Sequence, residues 1–466
     1  MNQHPFHRRS FLKGVLGTSA FSAVASQPLF GAKSRAKVRI ACCGIGNRGA
    51  EVVNSLVATG LCEVVALCDV DMGAPHTLGI LKKFPAVPQF QDFRKMLEKL
   101  GKDIDAVSIG VPDFAHFPIA MLAMSMGKHV YVEKPMAHTF QEVELMMLAE
   151  KKYKVAAQMG NQGHSEANYF QFKAWTEAGI IKNVTKITTF MNSARRWHGM
   201  KVTGLLPDQP VPATLDWDTW LGTAQPHPYN KGYVNGDWRS WFDFGNGALG
   251  DWGAHIFDTA HEFLHLGLPE EINSLKADGP NDFIFPQAST LCFKFPKRDQ
   301  MPPVELTWYD GVKNLPPLPD QFGKAVVDAN IPAPSVGKIE TKGGAPGKVI
   351  YGEGLTFKGG THGATLKIIP EAQAKDMESK LPEVPKSSSN HFANFLLACQ
   401  GEETCRSSFA VAGPLSQMMV LGVIAQRVNA QLKFDRTTKQ ITNHPVANAL
   451  LVGPPPRPDW AQFYRL

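Results

Sequence analysis

Residues 38–49, VRIACCGIGNRG, are an apolar run that ends in a turn with the glycine spacing Gly-x-Gly-x-x-Gly. A helix-like stretch follows, EVVNSLVATG (51–60), and then a second apolar run, CEVVALCDVD (62–71), which ends in acidic residues. A strand, a glycine-rich turn, a helix and a second strand with a terminal acid are typical of a dinucleotide-binding βαβ unit. This order predicts a parallel, Rossmann-type sheet in the N-terminal part of the chain.

The three glycines of this turn have separate predicted tasks. Gly44 permits the tight turn, Gly46 lets the backbone approach a pyrophosphate, and Gly49 allows the helix to lie close to the sheet. The phosphates then meet the helix N-terminus, whose free N–H groups and dipole favour anions. We therefore expect the turn to hold the phosphates of a dinucleotide.

The choice between NAD and NADP depends on Asp69 and on two polar residues of the turn that we also expect to contact the cofactor, Asn47 and Arg48. Asp69 ends the second strand, where a carboxylate accepts hydrogen bonds from the adenosine ribose and repels a 2′-phosphate. The sequence therefore favours NAD over NADP. Arg48 can also pair with phosphate, so the alternative of NADP stays open.

Strands at 105–112, 129–135 and 154–160 alternate with helices at 117–127 and 139–152. Such alternation predicts a doubly wound parallel sheet, with the ligand at the carboxyl ends of its strands. The residues that we expect to line the cofactor site at these ends are Pro112, Asp113, His116, Glu133, Lys134 and Gln162. For Asp113 and His116, a purely structural hydrogen bond is an equal alternative.

Four stretches together resemble the glucose–fructose oxidoreductase/inositol dehydrogenase (Gfo/Idh/MocA) family. They are GIGNRG (44–49), Asp69, VPDFAHFPIAMLAMSMGKHVYVEKP (111–135) and GDWGAHIFD (250–258), and the resemblance extends from residue 37 to about 450. It implies a Rossmann domain followed by an α/β domain whose open, mostly antiparallel sheet carries the substrate site. It also implies oxidation or reduction of a sugar or polyol hydroxyl without a metal.

The same resemblance makes Lys134, Asp251 and His255 the catalytic residues. His255 suits the acceptance of a hydroxyl proton, since its ordinary pKa is roughly 6.5. Lys134 can stabilise charge on the reacting oxygen. Asp251, four residues before His255, shares its helix face and would orient the imidazole or bind substrate. A mere surface pair is the alternative, which the Glu-Lys-Pro motif at 133–135 disfavours.

A metal site at His255, Asp258 and His261 was the other chemical interpretation of this helix. No Glu-x-x-His pair or set of cysteines completes it, so we predict no metal.

An aromatic insert precedes the predicted helix. TLDWDTWLG (214–222) and GDWRSWFDFGNGALGDWG (236–253) resemble an exported branch of the family. Indole rings stack on sugar faces, but most tryptophans pack internally. The residues that we expect to contact substrate are Arg195, Trp238, Arg239 and His391, the last with packing as an equal alternative.

The C-terminal part, 386–466, contains two stretches that read as amphipathic helices, SSSNHFANFLLACQ and GPLSQMMVLGVIAQRVNAQ. The second is expected to start at its Gly-Pro pair. This part is predicted to pack back on a Rossmann domain (36–160) and a substrate domain (161–385). The segment 311–348 is rich in Gly, Pro and Lys and predicts a surface loop or an oligomer arm.

The first 25 residues predict export. HRRSFLKG (7–14) followed by a small apolar run resembles a twin-arginine signal, with cleavage near Ala25 and a periplasmic destination. The run is shorter than the roughly 20 residues that span a bilayer, so we expect no stable membrane insertion. Half of the formal net charge of +6 comes from this segment. The rest shows no basic cluster, which disfavours nucleic acid as a partner.

The composition, 44% hydrophobic and 19% charged over 466 residues, excludes a disordered chain. Because a periplasm has no circulating NAD pool, an exported enzyme must bind its cofactor tightly and regenerate it in place. The primary hypothesis is an NAD-retaining oxidoreductase that acts on a sugar or glycoside hydroxyl, at C3, in a homo-oligomer. The alternatives are a redox-neutral glycosidase with Tyr229 or Tyr233 as a second base, and a sugar-binding protein without turnover.

Overall fold

The computed structural model describes residues 36–191, 202–311, 314–323 and 346–466. The predicted export signal (1–25), Arg195 and most of the segment 311–348 lie outside these residues. The described part from Lys37 to Leu466 forms one unit with two sheets.

The first sheet is parallel throughout and has the strand order β3-β2-β1-β4-β5-β6. Its strands are β1 (Val38–Cys43), β2 (Cys62–Cys68), β3 (Gln89–Phe90), β4 (Ala106–Ile109), β5 (His129–Val132) and β6 (Ala157–Met159). The helices between them are α1 (Arg48–Ala58), α2 (Leu78–Lys83), α3 (Phe93–Leu100), α4 (His116–Ser125) and α5 (Phe140–Tyr153). The strand order reverses between β1 and β4, and this reversal creates the crevice where such sheets bind ligands.

Local sequence explains these elements. The strand β4 is buried along its whole length because helices cover both faces of a parallel sheet. The helix α5 begins at a capping box, in which Thr139 and Glu142 satisfy each other's backbone N–H groups.

The second sheet has the order β13-β12-β11-β7-β10-β9-β8-β14-β15. Its strands are β7 (Lys186–Met191), β8 (Glu271–Asp278), β9 (Ala288–Phe295), β10 (Val304–Asp310), β11 (Gly347–Tyr351), β12 (Thr356–Gly359), β13 (Lys367–Ile369), β14 (Gln431–Asp435) and β15 (Gln440–Ile441). Only β7 and β10 pair in parallel among its described strands. The predicted open, mostly antiparallel sheet is therefore confirmed, and the C-terminal part adds two strands to it.

Helices accompany this sheet along the chain. They are α6 (Ala167–Glu177), α7 (Trp217–Leu221), α8 (Gly247–Ile256), α9 (Asp258–Phe263), α10 (Glu371–Met377), α11 (His391–Cys399), α12 (Phe409–Val428) and α13 (Pro445–Leu450). One hydrophobic core joins both sheets, with Val107 and Phe117 from the first and Leu249 and Phe293 from the second.

The helix α12 differs from its prediction in two ways. It begins at Phe409, before the Gly-Pro pair, because the carboxylate of Glu150 accepts hydrogen bonds from the N–H groups of Phe409 and Ala410. It is also buried on nearly all sides rather than amphipathic. Among the helices of the described residues, only α12 is long and apolar enough to cross a membrane. However, 83% of its most apolar 18-residue stretch is buried inside the protein.

Candidate active site

The glycine turn after β1 has the geometry that its sequence predicts. Gly44 has a φ of +76°, and a Cβ on it would lie 2.6 Å from the carbonyl group of Gly110. A Cβ on Gly49 would lie 2.0 Å from the carbonyl oxygen of Gly44. The turn, α1 and the end of β4 thus approach one another so closely that only glycine fits.

Gly46 makes room for a residue that sequence reasoning missed. A Cβ on Gly46 would lie 2.0 Å from Cδ2 of His76, so the imidazole of His76 packs against the glycine turn. His76 also lines the cavity described below. No local pattern identifies it, because its approach to Gly46 depends on how the loop after β2 folds back.

Asp69 ties the end of β2 to the glycine turn. Its Oδ2 accepts a hydrogen bond from the N–H of Ile45 at 2.9 Å, and its Oδ1 accepts one from the N–H of Asp71 at 3.1 Å. Burial raises the pKa of Asp69, and these N–H groups oppose that rise. A carboxylate has about four lone-pair positions, so acceptor capacity remains for ribose hydroxyls.

A cavity of about 700 Å³ lies over the reversal of the strand order. Gly44, Gly46, Asn47, Arg48 and Asp69 line one side of it, together with Pro112. Pockets for small molecules and cofactors have volumes of about 300–1,000 Å³. The volume, the glycine turn and the acceptor capacity of Asp69 all fit an NAD molecule.

Arg48 lines this cavity, but its guanidinium already has protein partners. Its Nε donates to Oε1 of Glu133 at 3.0 Å, and its Nη1 donates to Glu51 at 2.7 Å. Gln162 donates to the same Glu133 oxygen at 3.1 Å. Nη2 of Arg48 is buried and has no partner among the described residues. The predicted cofactor residues Glu133 and Gln162 hold Arg48 in place.

His116 and Asp113 both have hydrogen-bond partners within the protein. Both imidazole nitrogens of buried His116 lie 2.9 Å from backbone carbonyl oxygens, those of Pro135 and Val111. Burial lowers the pKa of His116 to about 4. Asp113 accepts a hydrogen bond from the N–H of Asn246, and burial raises its pKa to about 7. Both residues have structural partners here.

The structure brings Lys134 and Asp251 together at the end of β5. The Nζ of Lys134 donates to Oδ1 of Asp251 at 2.6 Å and to the Asp251 carbonyl oxygen at 2.8 Å. Both side chains are almost buried. Arg239 is a second cation, with Nε 3.5 Å from the same Oδ1, and its guanidinium lies 3.9 Å from the Trp238 ring centroid. Asp251 therefore holds the ammonium of Lys134 at the end of β5.

His255 lies one helical turn after Asp251 and stacks on His362. The two ring centroids are 3.9 Å apart with the planes tilted by 18°, and the N–H of His362 donates to the His255 carbonyl oxygen. Burial, then the nearby His362 and Lys134, lower the pKa of His255 well below its usual range. His255 is therefore neutral at pH 7, as a proton acceptor must be.

His362 is the second residue that the sequence did not reveal. It is exposed, has a φ of +54° and lies between β12 and β13, far along the chain from His255. Nothing near it in the sequence indicates a catalytic neighbour.

The contact between the two histidines predicts a shift in pH dependence. Replacing His362 with alanine removes one influence that lowers the pKa of His255. The pKa should rise, so the loss of activity on acidification should begin at a higher pH. Profiles of kcat/KM against pH for wild type and His362→Ala check this, and an unchanged acid limb would contradict the coupling. The exposed His265→Asn serves as the control.

Three other candidates, His391, Tyr233 and Tyr229, have different surroundings. His391 is buried, with Nε2 2.8 Å from the Met159 carbonyl oxygen and Nδ1 2.9 Å from Oγ of Ser165. Burial lowers the pKa of His391 to about 3. The hydroxyl of buried Tyr233 accepts a hydrogen bond from Leu206 within an aromatic cluster. Tyr229 lines the cavity near Asp71.

The residues considered for a metal have other partners. Asp258 accepts hydrogen bonds from His164 at 2.8 Å and Asn161 at 3.0 Å, whereas Nε2 of His261 lies 2.9 Å from the Gly267 carbonyl oxygen. Within the described ranges there is no group of three or more His, Cys, Asp or Glu residues that could hold a metal ion.

Comparison with known families decides the classification. Residues 38–161 match the Gfo/Idh/MocA oxidoreductase family, NAD-binding Rossmann fold, and residues 171–278 match its C-terminal alpha/beta domain. The chain belongs to the Gfo/Idh/MocA family.

Curated Gfo/Idh/MocA-type relatives include glycosidases. An alpha-N-acetylgalactosaminidase from Shewanella oneidensis is 31% identical over 252 residues, which cover 44% of this chain and 54% of the relative. A glycosyl hydrolase family 109 protein from Saccharopolyspora erythraea is 30% identical over 190 residues, covering 35% of this chain and 41% of the relative. The match spans about half the length of these relatives or less.

Solved structures share the Gfo/Idh/MocA fold. The WlbA dehydrogenase from Bordetella pertussis, in complex with NADH and UDP-GlcNAcA, has a TM-score of 0.55 at 14% identity, covering 86% of this chain and 99% of that chain. The aldose-aldose oxidoreductase from Caulobacter crescentus, complexed with glycerol, has a TM-score of 0.53 at 14% identity, covering 86% and 100%.

Proposed function

We propose that this protein is an NAD-dependent oxidoreductase that acts on a hydroxyl group, at C3, of a sugar or glycoside and keeps its cofactor bound. The observation that carries the proposal is the cluster of Lys134, Asp251 and His255, which adjoins the dinucleotide cavity through Arg239, a cavity-lining residue 3.5 Å from Asp251. Alcohol oxidation requires a proton acceptor and a cation near the reacting oxygen. The neutral imidazole of His255 can serve as the acceptor, and the Lys134 ammonium, which Asp251 holds, can serve as the cation.

NAD, when bound, supplies the hydride acceptor for this chemistry. The neutral ring of His255 accepts the hydroxyl proton, and its Nδ1 has no partner among the described residues. The ammonium of Lys134 donates a hydrogen bond to the reacting oxygen as negative charge develops there. Asp251 positions that ammonium through the 2.6 Å contact. Trp238 and Arg239 are the substrate contacts that we propose next to this cluster.

The test is the ultraviolet spectrum of the purified protein during addition of a panel of sugars and glycosides. Appearance of the NADH band supports oxidation. A spectrum that does not change with any sugar, although NAD is bound, would instead favour a binding protein without turnover. Detection of the oxidised carbon by NMR distinguishes C3 from other positions.

The glycosidase relatives favour a second candidate, a redox-neutral glycosidase. In this design a transient ketone at C3 acidifies the C2 hydrogen, and the C1 substituent is eliminated with that proton. Water then adds across the C1–C2 double bond, its oxygen at C1 and a proton at C2, and the C3 ketone is reduced again. A second base is needed near C2, and His362 beside His255 supplies one better than buried Tyr233. Release of free sugar from a nitrophenyl α-N-acetylgalactosaminide, without net NADH, would identify this candidate.

Export completes the proposal. We propose passage through the twin-arginine machinery to the periplasm with NAD already bound, and assembly as a homo-oligomer. Changing Arg8 and Arg9 to lysine should then leave the protein in the cytoplasmic fraction. Light scattering after chromatography measures the oligomeric state.

The ribose contact can be tested through Asp69. Asp69→Ala should weaken NAD binding roughly 10- to 100-fold, because hydrogen bonds to a charged group contribute about 1.5–3 kcal/mol. The preference for NAD over NADP should shrink as well, since the repulsive carboxylate is gone. Calorimetric titration of cofactor-free protein measures both effects. Asp376→Ala, at an exposed position of α10, is the control, and an unchanged affinity in Asp69→Ala would contradict the contact.

A further inference from the structure

The second wall of the cofactor cavity comes from the aromatic insert. Residues between Pro212 and Arg239, which we call the cover, line the cavity opposite the glycine turn. Among them are Thr214, Leu215, Trp220 and Tyr229. The cavity is therefore enclosed between the Rossmann domain and a segment that follows β7 in the chain.

The cover is fastened next to Asp69. Gln91 donates through Nε2 to the carbonyl oxygens of Val70 at 3.0 Å and Thr214 at 2.8 Å, and Oγ1 of Thr214 donates to Asp71 at 2.7 Å. Leu215 forms an antiparallel bridge with Asp71. These contacts lie within two residues of the carboxylate that faces the ribose, so they close the adenosine end of the cavity.

The C-terminal segment 453–466, which we call the latch, holds the cover from outside. Arg457 donates to the carbonyl oxygens of Gly222 at 2.8 Å and Asp218 at 2.6 Å, and its Nη1 also bonds to the Asp218 carboxylate. Gln225 donates to the carbonyl oxygen of Pro455. These hydrogen bonds hold the cover helix α7 at its C-terminal end.

The latch is itself anchored in the Rossmann domain. The Trp460 ring lies 4.4 Å from the guanidinium of Arg94 and 6.0 Å from the ring of Phe93, and it lines the cavity. Tyr464 donates to Glu142 at 2.5 Å. The latch therefore connects the two walls of the cavity.

We propose that the cover and the latch form a gate that retains NAD, so that the cofactor dissociates only when the bonds of Arg457 and Gln91 break. This inference rests on the proposed function, in which the cofactor stays bound. The contacts that hold the cover are side-chain hydrogen bonds at exposed or partly exposed positions, each of which contributes modestly to stability. Such contacts can open locally while both sheets stay folded.

The experiment measures the rate of NADH dissociation. Protein loaded with NADH is mixed with excess NAD, and the decay of bound NADH fluorescence gives the dissociation rate. Arg457→Ala removes three hydrogen bonds and Gln91→Ala removes two. Each substitution should accelerate dissociation about tenfold. Thermal melting checks that each variant is folded. Arg465→Ala removes an exposed arginine of the same segment and should match the wild type.

The outcomes separate this inference from the proposed function. If NADH dissociates slowly from wild type and equally slowly from both folded variants, the proposed gate is wrong. The proposal that the protein retains its cofactor is then still supported. Rapid dissociation from wild type overturns both the gate and the retention. Slow dissociation that becomes fast in either variant, but not in Arg465→Ala, supports the gate whether or not any sugar is oxidised.

Discussion

Replacing His255 with asparagine is expected to lower kcat by about 100- to 10,000-fold, the contribution that general acid–base catalysis typically makes. Asparagine preserves polarity at this buried position but cannot accept a proton. The cofactor cavity is lined by other residues, so bound NAD should remain. Steady-state kinetics on a reactive sugar, combined with the NAD content of the purified variant, measure the two effects separately.

His265→Asn is the matched control for this substitution. His265 is exposed, and its φ of +49° is one that asparagine tolerates well. The control should keep wild-type kinetics. If His255→Asn retained activity within a few-fold of wild type, His255 would not be the proton acceptor.

Replacing Lys134 with methionine is the substitution with the second largest expected effect. We expect kcat to fall about 100- to 1,000-fold, as for loss of one donor to a developing oxyanion. The change also removes the ammonium that pairs with the buried Asp251 carboxylate at 2.6 Å, which should lower the free energy of unfolding by up to about 3–5 kcal/mol. Kinetics and chemical denaturation measure the two losses.

The double variant Lys134→Met/Asp251→Asn separates the two roles of the lysine. Neutralising Asp251 removes the buried charge that has lost its lysine, so stability should recover. Activity should not recover, because no cation then contacts the reacting oxygen. A double variant that regained wild-type kcat would show that Lys134 serves only to neutralise Asp251.

Local patterns made the cofactor half of the site predictable. The strand, glycine turn and acid of residues 38–71 are consecutive, and the closeness of Gly49 to Gly44 follows directly from the βαβ geometry. Lys134 and Asp251 were identified through motifs that resemble the family. The 2.6 Å contact between Lys134 and Asp251 was not predicted. The spacing along the helix suggested His255 as the partner of Asp251, and the contact with Lys134 depends on how two distant parts of the chain fold together.

Residues brought together by tertiary packing could not be found in this way. His362 reaches His255 from the loop after β12, and Arg457 reaches Asp218 from the end of the chain. Both lie in ordinary loop sequence. The start of α12 was misplaced for a similar reason, since the capping carboxylate of Glu150 belongs to a distant helix.

The cover is one continuous segment that reaches both ends of the cavity. Thr214 fastens it near the ribose acid, and Arg239 places a cation beside Asp251. Under the proposed gate, lifting of this segment to exchange the cofactor would also move Arg239 away from Asp251. An open molecule would then lack both the dinucleotide and this cation, so a preparation's specific activity would report the fraction of closed, loaded molecules.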